Sequence, residues 1–296
     1  MASARDIQSR IKSVQDTMKI TNAMYLISST KVKKARRALT DALPHFEQSE
    51  ELIAEILRDL PELENRFFGT GEPIPGGKKG YLVISGDKGL AGAYNHNIVK
   101  FAESVLRAET APAVYVVGQL GALALQKSGY AVDRSFAGTA QHPTVERSRR
   151  IAATLCQKFM SGELSEVYII YTRMEGHGEE AVPRLQKLLP LSAEAFRPAA
   201  EKPQQPQQVT YLPDAAAVLG SIAPNYVTGY LFGALVEAFC SEENARMLAM
   251  KSATDSAADM LRELYVIYNS VRQAAITQQI VEVAGGAKAQ KRKKTS

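Results

Sequence analysis

The stretch from Asn225 to Ala287 constrains the fold more than any other part of this chain. It contains no proline, and apolar or small residues recur along it in steps of three and four, as in a helix that presents one stripe to a partner helix. These residues are Met250, Ala253, Ala257, Met260, Leu264, Ile267, Val271 and Ala274. A helix of about 60 residues is roughly 90 Å long. A compact domain cannot cover such a rod, so the pattern predicts an equally long partner helix.

The first sixty residues carry a matching pattern in steps of four and three. Its positions are Ile7, Ile11, Val14, Met18, Thr21, Tyr25, Ser28, Val32, Ala35, Leu39, Ala42, Phe46, Ser49, Ile53, Ile56 and Leu60. Pro44 should kink or break this helix, because proline removes a backbone donor and clashes with the preceding turn. We therefore predict that the two terminal helices lie antiparallel. An ordinary helical bundle is the alternative, although heptads sustained over this length are uncommon in bundles.

Between these helices the sequence changes to short apolar runs. Residues 81–85, 113–117 and 167–171 have the composition of buried strands, and helical segments separate them. Continuous apolar strands that alternate with helices are typical of a small parallel sheet covered on both faces. Residues 174–191 offer one further, outer strand. The predicted fold class is therefore α/β: a long antiparallel two-helix coiled coil with an inserted Rossmann-like domain.

Composition also suggests domain boundaries. They are an N-terminal helix over residues 1–60, a linker over 61–80, the α/β domain over 81–195, a second linker over 196–212, the C-terminal helix over 213–289 and a basic tail over 290–296. Glycine and proline mark the first linker, and proline and glutamine mark the second.

Charge and composition exclude several classes of protein. Residues 1–40 carry nine basic and two acidic residues, a net of +7 that exceeds the +5 of the whole chain. No apolar run reaches the ~18 residues needed to span a bilayer, and charges interrupt the position of a signal-peptide core. The two cysteines, Cys156 and Cys240, lack metal or redox spacing and fit a reduced, cytoplasmic setting.

The turn from Ser85 to Gly92 could be a nucleotide site. It follows the first predicted strand and precedes a helix, which is the setting of a phosphate-binding loop. Its spacing matches neither G-x-G-x-x-G nor the Gly-Lys-Ser/Thr ending of a P-loop. A tight turn that needs small residues is the favoured interpretation, and a nucleotide-binding α/β enzyme is the alternative.

The basic cluster from Lys31 to Arg37 could bind nucleic acid, but no aromatic residues alternate with it. A solvated basic face is the common fate of such a run. A basic belt that faces acidic loops of a partner is a third possibility, since attraction strengthens across a partly desolvated gap. The four histidines show no metal-ligand spacing and no nucleophile elbow is present, so the sequence predicts no catalytic site, cofactor or metal.

Four stretches together resemble the gamma subunit of F-type ATP synthases. They are Ile20–Met24 with Ser28–Ala35, Ser85–Asn95, Ser241–Lys251 and Arg272–Ile280. The similarity covers nearly the whole chain, in the same order and with matching spacing.

The resemblance implies a non-catalytic rotor shaft. The terminal coiled coil would enter a ring of three alpha and three beta subunits, and the inserted domain would lie at its foot beside the epsilon subunit and the c-subunit ring. Ion flow would turn the shaft, and the shaft would drive each beta subunit through its nucleotide-binding states. The implied location is peripheral, on the cytoplasmic face of a bacterial plasma membrane, with no nucleic acid partner.

The resemblance also implies residues for subunit contact and coupling. They are Met24, Lys31, Lys33, Lys34, Arg246, Arg272, Gln273, Thr277 and Gln279. Met24 would lie near an acidic hinge loop of beta, and Arg246 would matter for coupling. The lysines would form the basic belt, and the polar residues from Arg272 to Thr277 would contact a beta loop high in the ring. Gln279 stands where many members have glutamate, so one charged contact is expected to be missing.

Overall fold

The computed structural model describes residues 4–60, 63–69, 76–175, 180–196 and 210–294. Parts of the two predicted linkers, residues 61–62, 70–75 and 197–209, lie outside these ranges. The first long helix, α1, spans Ala4–Asp59, and the last, α5, spans Ala215–Lys294. The break considered at Pro44 does not occur, because α1 continues through it. Pro44 and Thr40 are both exposed, so the carbonyl that proline leaves without a donor can face water.

In the described part of the chain between α1 and α5 there are five strands and three further α-helices. In chain order they are β1 (Lys78–Ile84), α2 (Tyr94–Leu106), β2 (Ala113–Val117), α3 (Gln119–Lys127), β3 (Val132–Asp133), α4 (Val145–Met160), β4 (Leu164–Glu175) and β5 (Glu180–Leu189). Short 3-10 turns at Arg66–Phe68 and Ala193–Phe196 flank them.

The sheet is mixed rather than wholly parallel. Its strand order is β3-β2-β1-β4-β5. The first four strands are parallel, and β5 pairs antiparallel with β4. The expected outer strand is therefore present, and it is antiparallel. A parallel arrangement would require a crossover of about a dozen residues, whereas β4 and β5 are joined by a much shorter connection.

The chain divides into two compact units. The sheet-bearing unit comprises Ser28–Arg246. One face of its sheet packs on α4 and on parts of α1 and α5, in a core that includes Ile53, Leu155 and Leu231. The opposite face packs on α2 and α3, around Ile98 and Leu125. Both faces of the sheet are thus covered by helices, as the continuous apolar strands predict.

The terminal unit comprises residues 1–27 and 247–296. Here Ile7 and Ile11 of α1 form a buried cluster with Leu261 and Leu264 of α5. Further along the pair, the hydroxyl groups of Thr21 and Thr254 are 2.7 Å apart. Because the partner of a later residue of α1 is an earlier residue of α5, the helices run antiparallel.

The same antiparallel pairing of α1 and α5 occurs inside the sheet-bearing unit. Ala35 of α1 packs with Val236 and Phe239 of α5, and the rings of Phe46 and Phe232 lie 6.3 Å apart. The predicted fold, with paired terminal helices and an inserted α/β domain, is confirmed.

Candidate coupling site

Three charged residues of α5 form a buried cluster in the sheet-bearing unit. Glu242, Glu243 and Arg246 are only 5%, 2% and 6% exposed. Their spacing of three and four residues places both carboxylates beside the guanidinium on one helix face. A buried charge is costly unless it is paired and hydrogen-bonded, so the partners of these groups define the site.

Arg246 contacts both glutamates and a loop of the inserted domain. Its Nη1 atom lies 3.0 Å from Glu243 Oε1, and its Nη2 atom contacts Glu242 Oε1. Nη2 also donates to the backbone carbonyl oxygen of Gly89 at 3.2 Å and to that of Lys88 at 3.4 Å. Four acceptors therefore surround one planar, always charged group.

Lys31 of α1 supplies a second cation. Its Nζ atom lies 2.9 Å from Glu243 Oε1. The site, called the Arg246 cluster below, therefore joins α1, α5 and the turn after β1. It consists of Lys31, Glu242, Glu243, Arg246 and the carbonyl groups of Lys88 and Gly89.

The two glutamates differ in their ionisation. Burial raises the pKa of Glu242 above its ordinary value, and the charge of Glu243 adds to this effect while Arg246 opposes it. Burial also acts against ionisation of Glu243, but hydrogen bonds from Ser28 and Lys31, and then the charge of the arginine, hold its pKa below the ordinary value. The carboxylate with two cations is therefore the firmly ionised one.

The backbone N–H groups of Ser85 and Gly86 at the start of the turn, and two at the start of α3, have acceptors within the chain. The Gly86 N–H donates to Asn95 Oδ1 at 2.8 Å. At the start of α3, the Gln119 N–H donates to Asp87 Oδ1 at 2.9 Å, and the Gly121 N–H donates to Ser85 Oγ at 3.1 Å. A phosphate would need such donors free. The arrangement therefore favours the tight-turn interpretation over the nucleotide site.

The structure unites some of the implied contact residues and separates others. Lys31 and Arg246 share the carboxylate of Glu243, whereas Lys33 and Lys34 are exposed on α1. In the terminal unit, Met24 is partly buried. Arg272, Gln273, Thr277 and Gln279, which lie in the same unit, are all exposed.

Glu242 and Glu243 are functional candidates that the sequence analysis missed. Two adjacent acidic residues, placed three and four positions before an arginine in an apolar stretch, were the available signal.

The terminal unit exposes apolar side chains on α5. Ile280 and Val283 are 63% and 72% exposed, and Ile276 and Val281 are exposed beside them. Contiguous apolar surface of this kind marks contact with a partner.

No helix within the described ranges is both long and apolar enough to cross a membrane. In the same ranges no group of three or more His, Cys, Asp or Glu is arranged to hold a metal ion.

These features define a class of protein in which an α/β domain is inserted into a two-helix coiled coil, with a charged cluster fixing that domain to the helices. The family model described as ATP synthase matches residues 3–290. The chain is 43% identical over 288 residues to the ATP synthase gamma chain of Ruminiclostridium cellulolyticum, covering 96% of this chain and 98% of that one. It is 38% identical over 296 residues to the gamma chain of Acetivibrio thermocellus, covering 98% and 100%.

The fold agrees with a solved structure. A chain of the mitochondrial ATP synthase of Euglena gracilis, from an assembly of OSCP, F1 and c-ring, superposes with a TM-score of 0.64 at 15% identity, covering 99% of this chain and 96% of that one. This chain belongs to the ATP synthase gamma chain family. It is the central-stalk, rotor subunit of an F-type, membrane-bound ATP synthase complex and is not itself catalytic. The family and the rotor function predicted from the sequence are confirmed.

Proposed function

We propose that this chain transmits rotation between a ring of c subunits and three alpha and three beta subunits. In this arrangement the terminal helices stand inside the alpha–beta ring, and the inserted domain contacts the epsilon subunit and the c-ring. The complex lies on the cytoplasmic face of a bacterial plasma membrane. Ion flow turns the shaft, and the shaft changes the nucleotide affinity of each beta subunit in turn.

The observation that carries the proposal is the exposed apolar surface near the end of α5. Ile276, Ile280 and Val283 follow one another in steps of four and three, so they form one stripe on the helix. A stripe of this kind requires cover from another protein. Apolar contact is non-directional, so it can hold a shaft in a hole without fixing one angle of rotation.

Polar residues on the same part of α5 would supply the angle-dependent contacts. A turning surface alters the affinity of a beta site only if it contacts the states of that site differently. Exposed Arg272, Gln273 and Thr277 can form directional hydrogen bonds with a beta loop at some angles and not at others. Gln279 would add a neutral contact in place of a charged one.

Under this proposal the basic belt that faces the beta subunits consists of Lys33 and Lys34, without Lys31. Lys31 is engaged with Glu243 inside the chain, so its charge is largely compensated. Lys33 and Lys34 are exposed on α1 and would face the acidic loops of the beta subunits, with Met24 near the same loops.

Site-specific photo-cross-linking in the assembled complex tests this placement. A photoreactive residue at Ile280 is expected to cross-link to alpha or beta subunits. The same residue at exposed Lys100, on α2 of the inserted domain, is the control and is expected to give no adduct with the upper part of the alpha–beta ring. Adducts of position 280 with epsilon or c subunits would contradict the proposed arrangement.

A further inference from the structure

We infer that the turn from Ser85 to Gly92 is a socket for the Arg246 guanidinium, and that Glu242 and Gly86 are positioning residues that hold this group there. The socket would make the torsional connection between α5 and the inserted domain. The inference rests on the proposed rotary function, because a torsional connection matters only in a subunit that transmits rotation.

The turn has the polarity of a cation site. A phosphate-binding loop presents N–H groups to its ligand, whereas this turn presents the carbonyl oxygens of Lys88 and Gly89 to Arg246. The side chain of Asn95 stabilises this conformation of the turn by hydrogen bonds to its backbone. It accepts from the Gly86 N–H at 2.8 Å and donates to the Lys88 carbonyl at 3.3 Å.

Gly86 sets the position of Glu242. A Cβ atom at Gly86 would lie 2.8 Å from Glu242 Cδ and 2.9 Å from Asn95 Oδ1. Real Cβ atoms essentially never make contacts this close. The absence of a side chain at Gly86 therefore allows the carboxylate of Glu242 to lie against the turn and to contact Arg246.

A cluster of this kind resists twisting in a way that apolar packing does not. Apolar contacts are non-directional, but charge-assisted hydrogen bonds from a planar guanidinium fix both distance and angle. Two residues before Glu243, the Ser241 hydroxyl lies between two carbonyl acceptors, that of Glu237 on α5 at 2.8 Å and that of Thr172 on β4 at 3.3 Å. These directional contacts hold the angle of α5 about its axis relative to the sheet.

The test uses Gly86→Ala in the complete ATP synthase, with Gly220→Ala as the matched control. A Cβ at Gly220, which lies on α5, would meet no atom within 4 Å. Two quantities are measured on assembled complexes: ions pumped per ATP hydrolysed in membrane vesicles, and the angular spread of a probe on the inserted domain during a catalytic pause. For Gly86→Ala we expect the number of ions pumped per ATP to fall by at least about twofold and the angular spread to widen. Twofold is the low end of the effect that mutations within a coupling network have on coupling between sites.

Both readouts separate a torsional role from a merely structural one, because instability would lower the amount of complex without changing either value per complex. If Gly86→Ala does not assemble, Glu242→Gln, which keeps the shape of the side chain, decides by the same two measurements. Wild-type pumping and wild-type angular spread in the assembled variant would overturn the inference. Failure of the wild-type chain to join alpha and beta subunits would instead overturn the proposed function.

Discussion

At the scale of single residues, the Arg246 cluster shows what sequence patterns reveal and what they omit. The family motif pointed to Lys31 and Arg246, and both lie in the cluster. It gave no hint that they share Glu243, because that contact joins residues 212 positions apart. The backbone carbonyl acceptors were equally hidden, since any residue type offers a carbonyl oxygen. The burial of each group decides its energetics, and burial follows only from the packing of α1, α5 and the sheet.

Replacement of each glutamate by glutamine should have unequal effects. Glu243→Gln leaves Lys31 and Arg246 with one fewer anion in a buried site, and we expect a loss of about 3 kcal/mol in the free energy of unfolding. Glu242 already has a raised pKa, so Glu242→Gln should cost less, about 1 kcal/mol. Urea unfolding of the full chain, followed by circular dichroism, measures both. An equal or reversed order would show that our assignment of the ionised carboxylate is wrong.

The same site gives a pH dependence of definite sign. The pKa of Glu243 is lower in the folded chain than its ordinary value of 4.5. Its stabilising contribution is therefore complete above the unfolded pKa and is lost as the pH falls through the folded pKa. The difference in unfolding free energy between the wild type and Glu243→Gln should be constant near neutral pH and should shrink below about pH 4.5. A difference that grows on acidification would contradict this sign.

At the scale of helices and strands, the sequence predicted α1 better than α5. Nearly all the predicted contact positions of α1 are buried or partly buried. On α5, three residues that were predicted to face the partner are exposed: Ala274, and Met260 and Ile267 at 42% and 49%. Next to Met260 and Ile267 the structure instead buries Leu261 and, in part, Tyr268. These two errors fall on pairs of adjacent apolar residues, where periodicity alone does not choose between the two. The facing side chains of α1 make that choice.

The strands of the sheet also differ in how well the sequence predicted them. The central strands β1, β2 and β4 were predicted because their continuous apolar runs reflect burial on both faces. The two-residue strand β3 was missed, and the direction of β5 was not foreseen. Edge strands carry polar residues and short connections, so their composition carries less information about pairing.

Alanine substitutions at the adjacent residues Met260 and Leu261 test which of them contacts α1. Leu261 is packed with Ile7, Ile11 and Leu264, so Leu261→Ala should destabilise the terminal helix pair by about 2–3 kcal/mol. Met260→Ala, at the adjacent exposed position, is the matched control and should change stability by less than about 0.5 kcal/mol. Thermal unfolding followed by circular dichroism, together with limited proteolysis near the chain ends, reports both effects. Comparable losses from the two variants would argue that α5 turns a different face to α1.

At the scale of the whole molecule, charge is distributed very unevenly. The first forty residues carry a net of +7 in a chain of net +5, and the last seven residues are also basic. The basic residues near the N-terminus include Lys31, which has an internal partner, whereas those at the C-terminus follow the exposed apolar stripe of α5. The two basic regions therefore call for separate explanations. Electrostatics within the chain accounts for part of the first, and a favourable interaction with the helix dipole accounts for part of the second.

Deletion of the C-terminal tail in the assembled enzyme tests the second of these explanations. Removal of residues 290–296 takes away four cations at the end of α5. Each is worth only about 0.3–1 kcal/mol through the helix dipole, and terminal residues usually tolerate removal. We expect the shortened chain to assemble with its partners and to pump the same number of ions per ATP hydrolysed.

A longer deletion, of residues 276–296, is the contrasting variant. It also removes the apolar stripe that the proposed arrangement places inside the alpha–beta ring, including Ile276, Ile280 and Val283. That variant should transport ions more slowly when driven by ATP, because the end of the shaft has lost the surface that centres it. If the short deletion already lowered pumping per ATP, the basic tail itself would contact a partner during rotation. If the long deletion had no effect, contacts made by residues that precede 276 in the chain would suffice to guide the shaft. The apolar stripe would then need a different partner.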